Sequence, residues 1–324
     1  MKSFDVVSVG EALVDFLPNR RGLRVRDVSS WVPCLGGAPS NVAVGVARLG
    51  RQSALVGVTG DDEFGHFIRT GLEREGVDTS RLRHTAEGKT GLGFVSLTES
   101  GERSFTFYRQ RAAEMFLSSV DTVGAQPMLD AATFAHVGTN SLLQPRARAA
   151  MRALVRRRMR RGALSSCDPN LRLHLWKQPE QLRALLDELL PSCAVVKLSH
   201  EEIQFVTGTK SVDAALKRLE ANGVLLPVVT LGADGAAFRF HGRTARVAAP
   251  AVNVVDTTGA GDGFMSGLLS RLAPLAQTRE ALAVLPFDAL PEVMRFGCRV
   301  GSEVVQHLGA VAGLPRWREA KARR

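Results

Sequence analysis

Residues 256–269 read DTTGAGDGFMSGLL, and the stretch decides how the rest of the chain is read. Gly259, Ala260, Gly261 and Gly263 crowd around Asp262, and an apolar run follows at once. Val252, Val254 and Val255 are β-branched and bring a strand or extended segment up to Asp256. Phe264, Leu268, Leu269 and Leu272 then recur at helical spacing, with Met265 beside them. The glycines therefore lie at a turn that opens a helix. Free N–H groups and the positive end of the dipole make such a turn an anion site. A carboxylate there would repel a phosphate. Asp262 is read either as an acid–base group beside the phosphate or as an N-terminal cap. Spacing does not choose between them.

Two other phosphate-binding patterns fail. The only GKT, at 88–90, has Arg83 where a GxxxxGK(S/T) loop needs glycine, so it reads as a loop before a strand. In the knot itself Gly259 and Gly261 are followed by Phe264, which breaks a GxGxxG fingerprint.

Outward from the knot, apolar β-branched runs at 6–10, 54–59, 133–138, 163–167, 194–198 and 226–231 alternate with helical patterns near 38–49, 62–75, 146–161, 178–190 and 211–221. That alternation predicts a mostly parallel sheet with helices on both faces. GAAFRFHG and TARVAAP read as hairpin-like, and a long helix is predicted near 289–307. Two stretches break the rhythm. Residues 11–35 hold extended runs without a helix, and 90–108 read as a hairpin around TESGER. Such strands form either a small lid over the strand ends or an edge hairpin of the main sheet.

At 324 residues, 45% hydrophobic and 23% charged, the chain is long enough for a full core and has a globular composition. No apolar run reaches the roughly 20 residues of a membrane span. Asp5 and Glu11 interrupt any signal peptide, so a cytoplasmic address is expected. Cys34, Cys167, Cys193 and Cys298 are dispersed, as expected of reduced buried thiols. The net charge of +10 concentrates in RARAAMRALVRRRMRRG at 146–162. Ala147, Ala150, Met151, Leu154, Val155 and Met159 recur there at helical spacing, so the arginines are read as a solvated face. No aromatic residues interleave to stack on bases, and no nucleic-acid partner is expected.

The 256–269 stretch closely resembles the carboxyl-terminal signature of the ribokinase-like (PfkB) carbohydrate kinases, and GGAPSNVAVGVARLG at 36–50 resembles their amino-terminal signature. GEALVDFLP at 10–18, DPNLRLHLW at 168–176, KLSHEE at 197–202 and VTLGADG at 229–235 extend the likeness over nearly the whole chain, which looks most like bacterial fructokinases. The resemblance implies a three-layer α/β fold in one domain spanning 1–324, with lid strands from about 11–35 and 90–108. It implies ATP-dependent phosphorylation of a sugar hydroxyl, fructose first; 2-keto-3-deoxygluconate, ribose or a nucleoside are the alternatives within the family. A catalytically silent sensor is the alternative outside it.

Carried over residue by residue, Asp262 matches the catalytic base, and Gly259, Ala260 and Gly261 match the anion hole. Asp15, Gly36, Gly37, Asn41, Asn170 and Arg172 match sugar-side positions, with Arg109 a further candidate that could equally be a solvated arginine. Pro39 also suits an early helical position, with Ser40 or Asn41 as a cap. Lys197, Ser199, Thr230, Gly232 and Gly235 match the nucleotide side. Cys298 stands where the family's adenine-side run usually has asparagine. Glu202 matches the acid that influences Mg²⁺ through water, and Asp256 and Thr258 match a loop associated with K⁺. A homodimer through the lid is expected, with a sugar and ATP as the small-molecule partners.

Overall fold

The computed structural model describes residues 3–20, 22–97 and 103–317. The described strands, in chain order, begin with β1 (Phe4–Val9), β2 (Leu13–Pro18), β3 (Trp31–Gly36), β4 (Ser53–Gly60) and β5 (Val77–Asp78). They continue with β6 (Leu82–Thr85), β7 (Leu92–Leu97), β8 (Arg103–Tyr108), β9 (Ala132–Val137) and β10 (Leu164–Cys167). The last are β11 (Val195–Ser199), β12 (Leu226–Thr230), β13 (Ala236–Phe240) and β14 (Arg243–Val247). The helices begin with α1 (Ala38–Arg48), α2 (Glu63–Arg74), α3 (Ser119–Gly124), α4 (Gln126–Asp130), α5 (Pro145–Arg160) and α6 (Pro179–Leu189). After them come α7 (Ile203–Thr207), α8 (Val212–Ala221), α9 (Ala260–Leu272), α10 (Arg279–Ala283) and α11 (Leu290–Val304).

The large sheet runs β14-β13-β12-β11-β10-β9-β1-β4-β5, with β6 also on β4. From β12 to β5 every pairing is parallel, and β13 and β14 finish one edge as an antiparallel hairpin. Side chains alternate faces along a strand. Val7 and Val9 of β1 therefore join one apolar cluster and Val6 the other; Val137 and Phe134 of β9 divide in the same way. Both faces are apolar and both are covered. Leu154 of α5, Leu182 of α6 and Leu216 of α8 pack on one; Val42 of α1, Leu268 of α9 and Val293 of α11 pack on the other.

From β1 the chain works outward through β4 and β5, then returns to β9 on the other side of β1. The helix connections diverge there, which leaves a crevice beyond the carboxyl ends of β1 and β9. The site lies in it.

The strands that broke the sequence rhythm do not join the large sheet. They form a separate four-stranded sheet in the order β3-β2-β7-β8, so the edge-hairpin alternative fails. The turn predicted in TESGER falls on residues outside those described. Asp15 of β2 sits opposite Gly93 of β7 and Cys34 of β3. A Cβ at Gly93 would come within 2.7 Å of Asp15 Oδ1, so glycine leaves the carboxylate room.

Three local expectations are corrected. Cys34 is half-buried in the small sheet, whereas the other three thiols are buried and all four are free. Pro39 does sit in the first turn of α1, but the N-cap is Gly37 and no side chain caps it. The basic helix is not solvated all along its arginine positions: Arg158 is 1% exposed. Its guanidinium donates to the carbonyls of Leu129, Ala132, Thr133 and Leu164, tying α4 and β9 to β10. Burial lowers its pKa to about 10. Arg158→Met should cost about 3–5 kcal/mol, because it strips the guanidinium donor from four carbonyls, most of them buried. Denaturant melts of the two proteins measure it; a loss under 1 kcal/mol would show that water replaces the guanidinium.

Candidate active site

The knot of glycines caps α9. Gly259, the N-cap, has φ +77°, and a Cβ on it would come within 2.7 Å of Ala310 Cα. No side chain caps this helix, so the reading of Asp262 as a cap falls. Gly263 N–H is the first to close a turn, 2.7 Å from Gly259 O, and Ala260 N–H reaches Thr257 O at 3.3 Å. Among the described residues no acceptor takes the N–H of Gly261 or Asp262, the orphan donors of the first turn.

Asp262 is buried, and its Oδ2 accepts from Asn41 Nδ2 at 2.8 Å. Asn41 lies in the first turns of α1, at the other end of the sequence. Ser40 donates back to Gly36 O at 2.7 Å rather than capping, and Asn41 crosses to α9 instead. Burial pushes the Asp262 carboxyl up to about 6. The Asn41 hydrogen bond pulls against this, Asp168 adds to it, and Lys197 and Arg172 oppose it.

Beside it, Asp168 at the end of β10 and Lys197 of β11 form a buried ion pair, Nζ to Oδ2 at 2.9 Å. Burial works against the ammonium, but Asp168 and Glu202 outweigh it and hold its pKa above the usual lysine value. Nζ also lies against the first turn of α9, since a Cβ at Gly261 would come within 2.7 Å of it. Asp168 Oδ1 accepts from Asn170 N–H at 3.2 Å and supports a left-handed Asn170, φ +45°. Glu202 accepts from Leu171 N–H at 2.5 Å and Ser199 N–H at 2.7 Å, locking the loop after β10 to the end of β11. Burial and Asp168 raise its carboxyl above the usual range.

These groups line a cleft of about 460 Å³. At one end stand Asp15, Asn41, Phe107, Arg109, Asn140 and Arg172; at the other are Lys197, Ser199, Thr230 and Gly232. Burial pushes the half-buried Asp15 up to about 7, against the pull of Arg109 and Arg172 and with the push of Asp262. Arg109 is no solvated arginine: it is buried, with Nε 2.7 Å from Glu114 Oε1. An apolar slot of about 430 Å³ adjoins the cleft and shares Thr230, Gly232, Ala260 and Gly261 with it. Gly235, Cys298, Ala249, Phe264 and Val305 line the slot.

Most residues named from the sequence thus converge, but not all on the cleft. Gly36 lies behind Asp15, where a Cβ would strike the carboxylate. Asp256 is buried beneath the knot, accepting from Thr258 N–H and Oγ1 and from Gly309 N–H. Asp168, Glu11, Phe107 and Asn140 are cleft residues that sequence reading missed. Asp168 heads the 168–176 motif, Phe107 lies in the 90–108 hairpin without a signal of its own, and Asn140 carries none.

A polar cleft next to an apolar slot, bridged by the N-terminus of a helix, is the layout of a small-molecule phosphotransferase. The comparisons specify the class further. The sequence profile described as pfkB family carbohydrate kinase matches residues 3–317. Fructokinase-2 of Solanum lycopersicum is 37% identical over 321 residues, covering 97% of this chain and 94% of that protein. A Xylella fastidiosa fructokinase with bound ATP superposes with TM-score 0.88 at 31% identity, covering 98% of this chain and 97% of that one. A Vibrio cholerae O395 fructokinase, solved with fructose, ADP and calcium ion, gives TM-score 0.85 at 33% identity, with 99% of both chains covered. The chain belongs to the pfkB family of carbohydrate kinases. Among the described residues, no helix is long and apolar enough to cross a membrane.

Proposed function

We propose that the protein is a fructokinase that transfers the γ-phosphoryl group of ATP to a hydroxyl of fructose. The observation that carries this is the buried, hydrogen-bonded Asp262 beside unpaired N–H groups at the start of α9. Asp262 takes the proton of the attacking hydroxyl. The freed oxygen lone pair forms the new P–O bond, and the bond to the β-phosphate oxygen breaks with its electron pair leaving on ADP. The N–H groups of the Gly259–Gly261 turn and Lys197 stabilise charge on the transferring group, which is most of what phosphoryl transfer requires.

Asp15, Asn41, Arg109, Asn170 and Arg172, with backbone at Gly37, hold the sugar, and Gly36 leaves the Asp15 carboxylate room. A carboxylate accepts from two neighbouring hydroxyls, and amides both donate and accept. Thr230, Gly232, Gly235 and Cys298 take the nucleotide, whose flat base suits the apolar slot, and Ser199 lies toward its phosphates. The 31–37% identity to fructokinases over nearly full length supports fructose within the family.

Magnesium fits Glu202. Both carboxylate oxygens already accept a backbone N–H, so they suit the ion's waters rather than the ion, which retains several of them. When bound, Mg²⁺ neutralises charge on the β- and γ-phosphates. Asp256 and Thr258 are proposed for K⁺, since a buried carboxylate that ties two loops favours a cation there. A Vibrio cholerae fructokinase double mutant has been solved with fructose, ADP and potassium ion.

We assign one catalytic unit whose lid comes from 11–35 and 90–108, acting as a homodimer through the lid. The lid's outer face supports this: Phe94 stacks on Phe16 at 4.8 Å and meets Trp31 and Tyr108 edge-on, with Tyr108 mostly exposed.

The test is ADP release measured over fructose, ribose, 2-keto-3-deoxygluconate and nucleosides, each with K⁺ or Na⁺. Fructose should exceed the others in kcat/KM by at least about tenfold, as sites that pair sugar hydroxyls discriminate strongly. Turnover on another acceptor alone would move the reading within the family, and none on any would end it.

A further inference from the structure

Asp262 Oδ2 and Asn41 Nδ2 come from α9 and α1, 221 positions apart, and meet at 2.8 Å in a buried setting. Asn41 is 4% exposed, and its Oδ1 is buried without a protein partner. The amide orientation follows from chemistry, since turning it would set oxygen against carboxylate. We propose that Asn41 is a positioning residue for the base: it holds Oδ2 of Asp262, so that Oδ1 is the oxygen that takes the sugar's proton. The inference rests on the reading of Asp262 as the base.

Other groups near the carboxylate are committed elsewhere. Lys197 Nζ bonds Asp168 Oδ2 at 2.9 Å, and Arg172 Nη1 donates to Leu171 O at 3.1 Å. Asp15 and Asp168 face Asp262 as like charges, and Glu202 lies beyond the ion pair. Among the described residues, Asn41 makes the one hydrogen bond to this carboxylate. A neutral donor suits a base, because a cation in direct contact would depress its basicity far more. It also limits the rotation of the Asp262 carboxylate, and misplacement of a catalytic group by about 1 Å can cost 10²-fold. Asn41 itself lines the cleft beside the base it holds.

The experiment compares Asn41→Ala and Asn41→Leu with the parent, reading kcat and KM for fructose between pH 5 and 9. Leucine retains the volume, and melting temperatures report folding. A positioning role requires kcat to fall at least about tenfold, by more than KM rises, and the acid limb of kcat to move upward, because the bond that favours the ionised base is gone. If KM rises alone with kcat and the acid limb unmoved, Asn41 is a sugar ligand only and the inference is overturned. Asp262→Asn run in parallel separates the two failures. Activity in that variant defeats the base reading, whereas its inactivity beside a parent-like Asn41→Leu defeats only the positioning role.

Discussion

Asp262→Asn is expected to lower kcat for fructose by about 10²–10⁴-fold while ATP binding, read by calorimetry, stays within a few-fold of the parent. The amide keeps the shape and the packing of α9 but cannot accept the hydroxyl's proton. The pH profile carries the same signature. With its carboxyl at about 6, Asp262 becomes protonated as pH falls through that value, so the parent's rate should drop on the acid side from roughly pH 6 downward. Asp15, at about 7, contributes to the same limb through sugar binding.

Stability moves the opposite way. The folded-state pKa is raised above its ordinary 3.8, so the native state holds this proton more tightly than the unfolded chain. The group is without cost below about pH 4 and opposes folding as pH rises through about 6. Removing the charge should therefore leave the melting temperature at pH 8 unchanged or higher. An inactive variant that melts no lower than the parent isolates chemistry from folding. A variant retaining most of its kcat would sink the mechanism.

Gly259→Ala is expected to lower kcat by about 10²–10³-fold, comparable to losing one preorganised donor of an oxyanion site. At φ +77° an alanine costs about 1–2 kcal/mol by itself. Its Cβ would also meet Ala310 Cα at 2.7 Å, so either the knot or the 309–311 loop must shift. A shift at the N-cap turns the first N–H groups of α9 away from the cleft. Gly124→Ala at the end of α3 is the control, since its Cβ would have no atom within 4 Å. Parent-like turnover in Gly259→Ala would show that the turn's conformation is not what stabilises the transferring group.

Several features were legible in sequence for reasons that are local. The six central strands and their helices follow from alternation of apolar runs, because both faces of a parallel sheet must be covered. The knot was legible because only glycine tolerates the backbone at 259, and the apolar residues after it repeat at helical spacing. The lid was half legible: two segments out of rhythm implied extra strands, but not whether they would join the main sheet. Arg158 misled because helical periodicity separates faces only on average. It reaches four carbonyls that belong to α4, β9 and β10. Asp168 was passed over because its partner, Lys197, is 29 positions away and no spacing rule links them.

By itself the sequence determined the layers of the fold and the helix-opening turn at 259–261 with a carboxylate at its start, since each depends on residues close together in the chain. Only the tertiary structure decided the environment of that aspartate. Asn41 of α1, Asp168 and Arg172 of the loop after β10, and Lys197 of β11 surround it from three separate segments, and burial raises its pKa. Desolvation and pairing depend on distances in space, which neighbours in sequence do not specify.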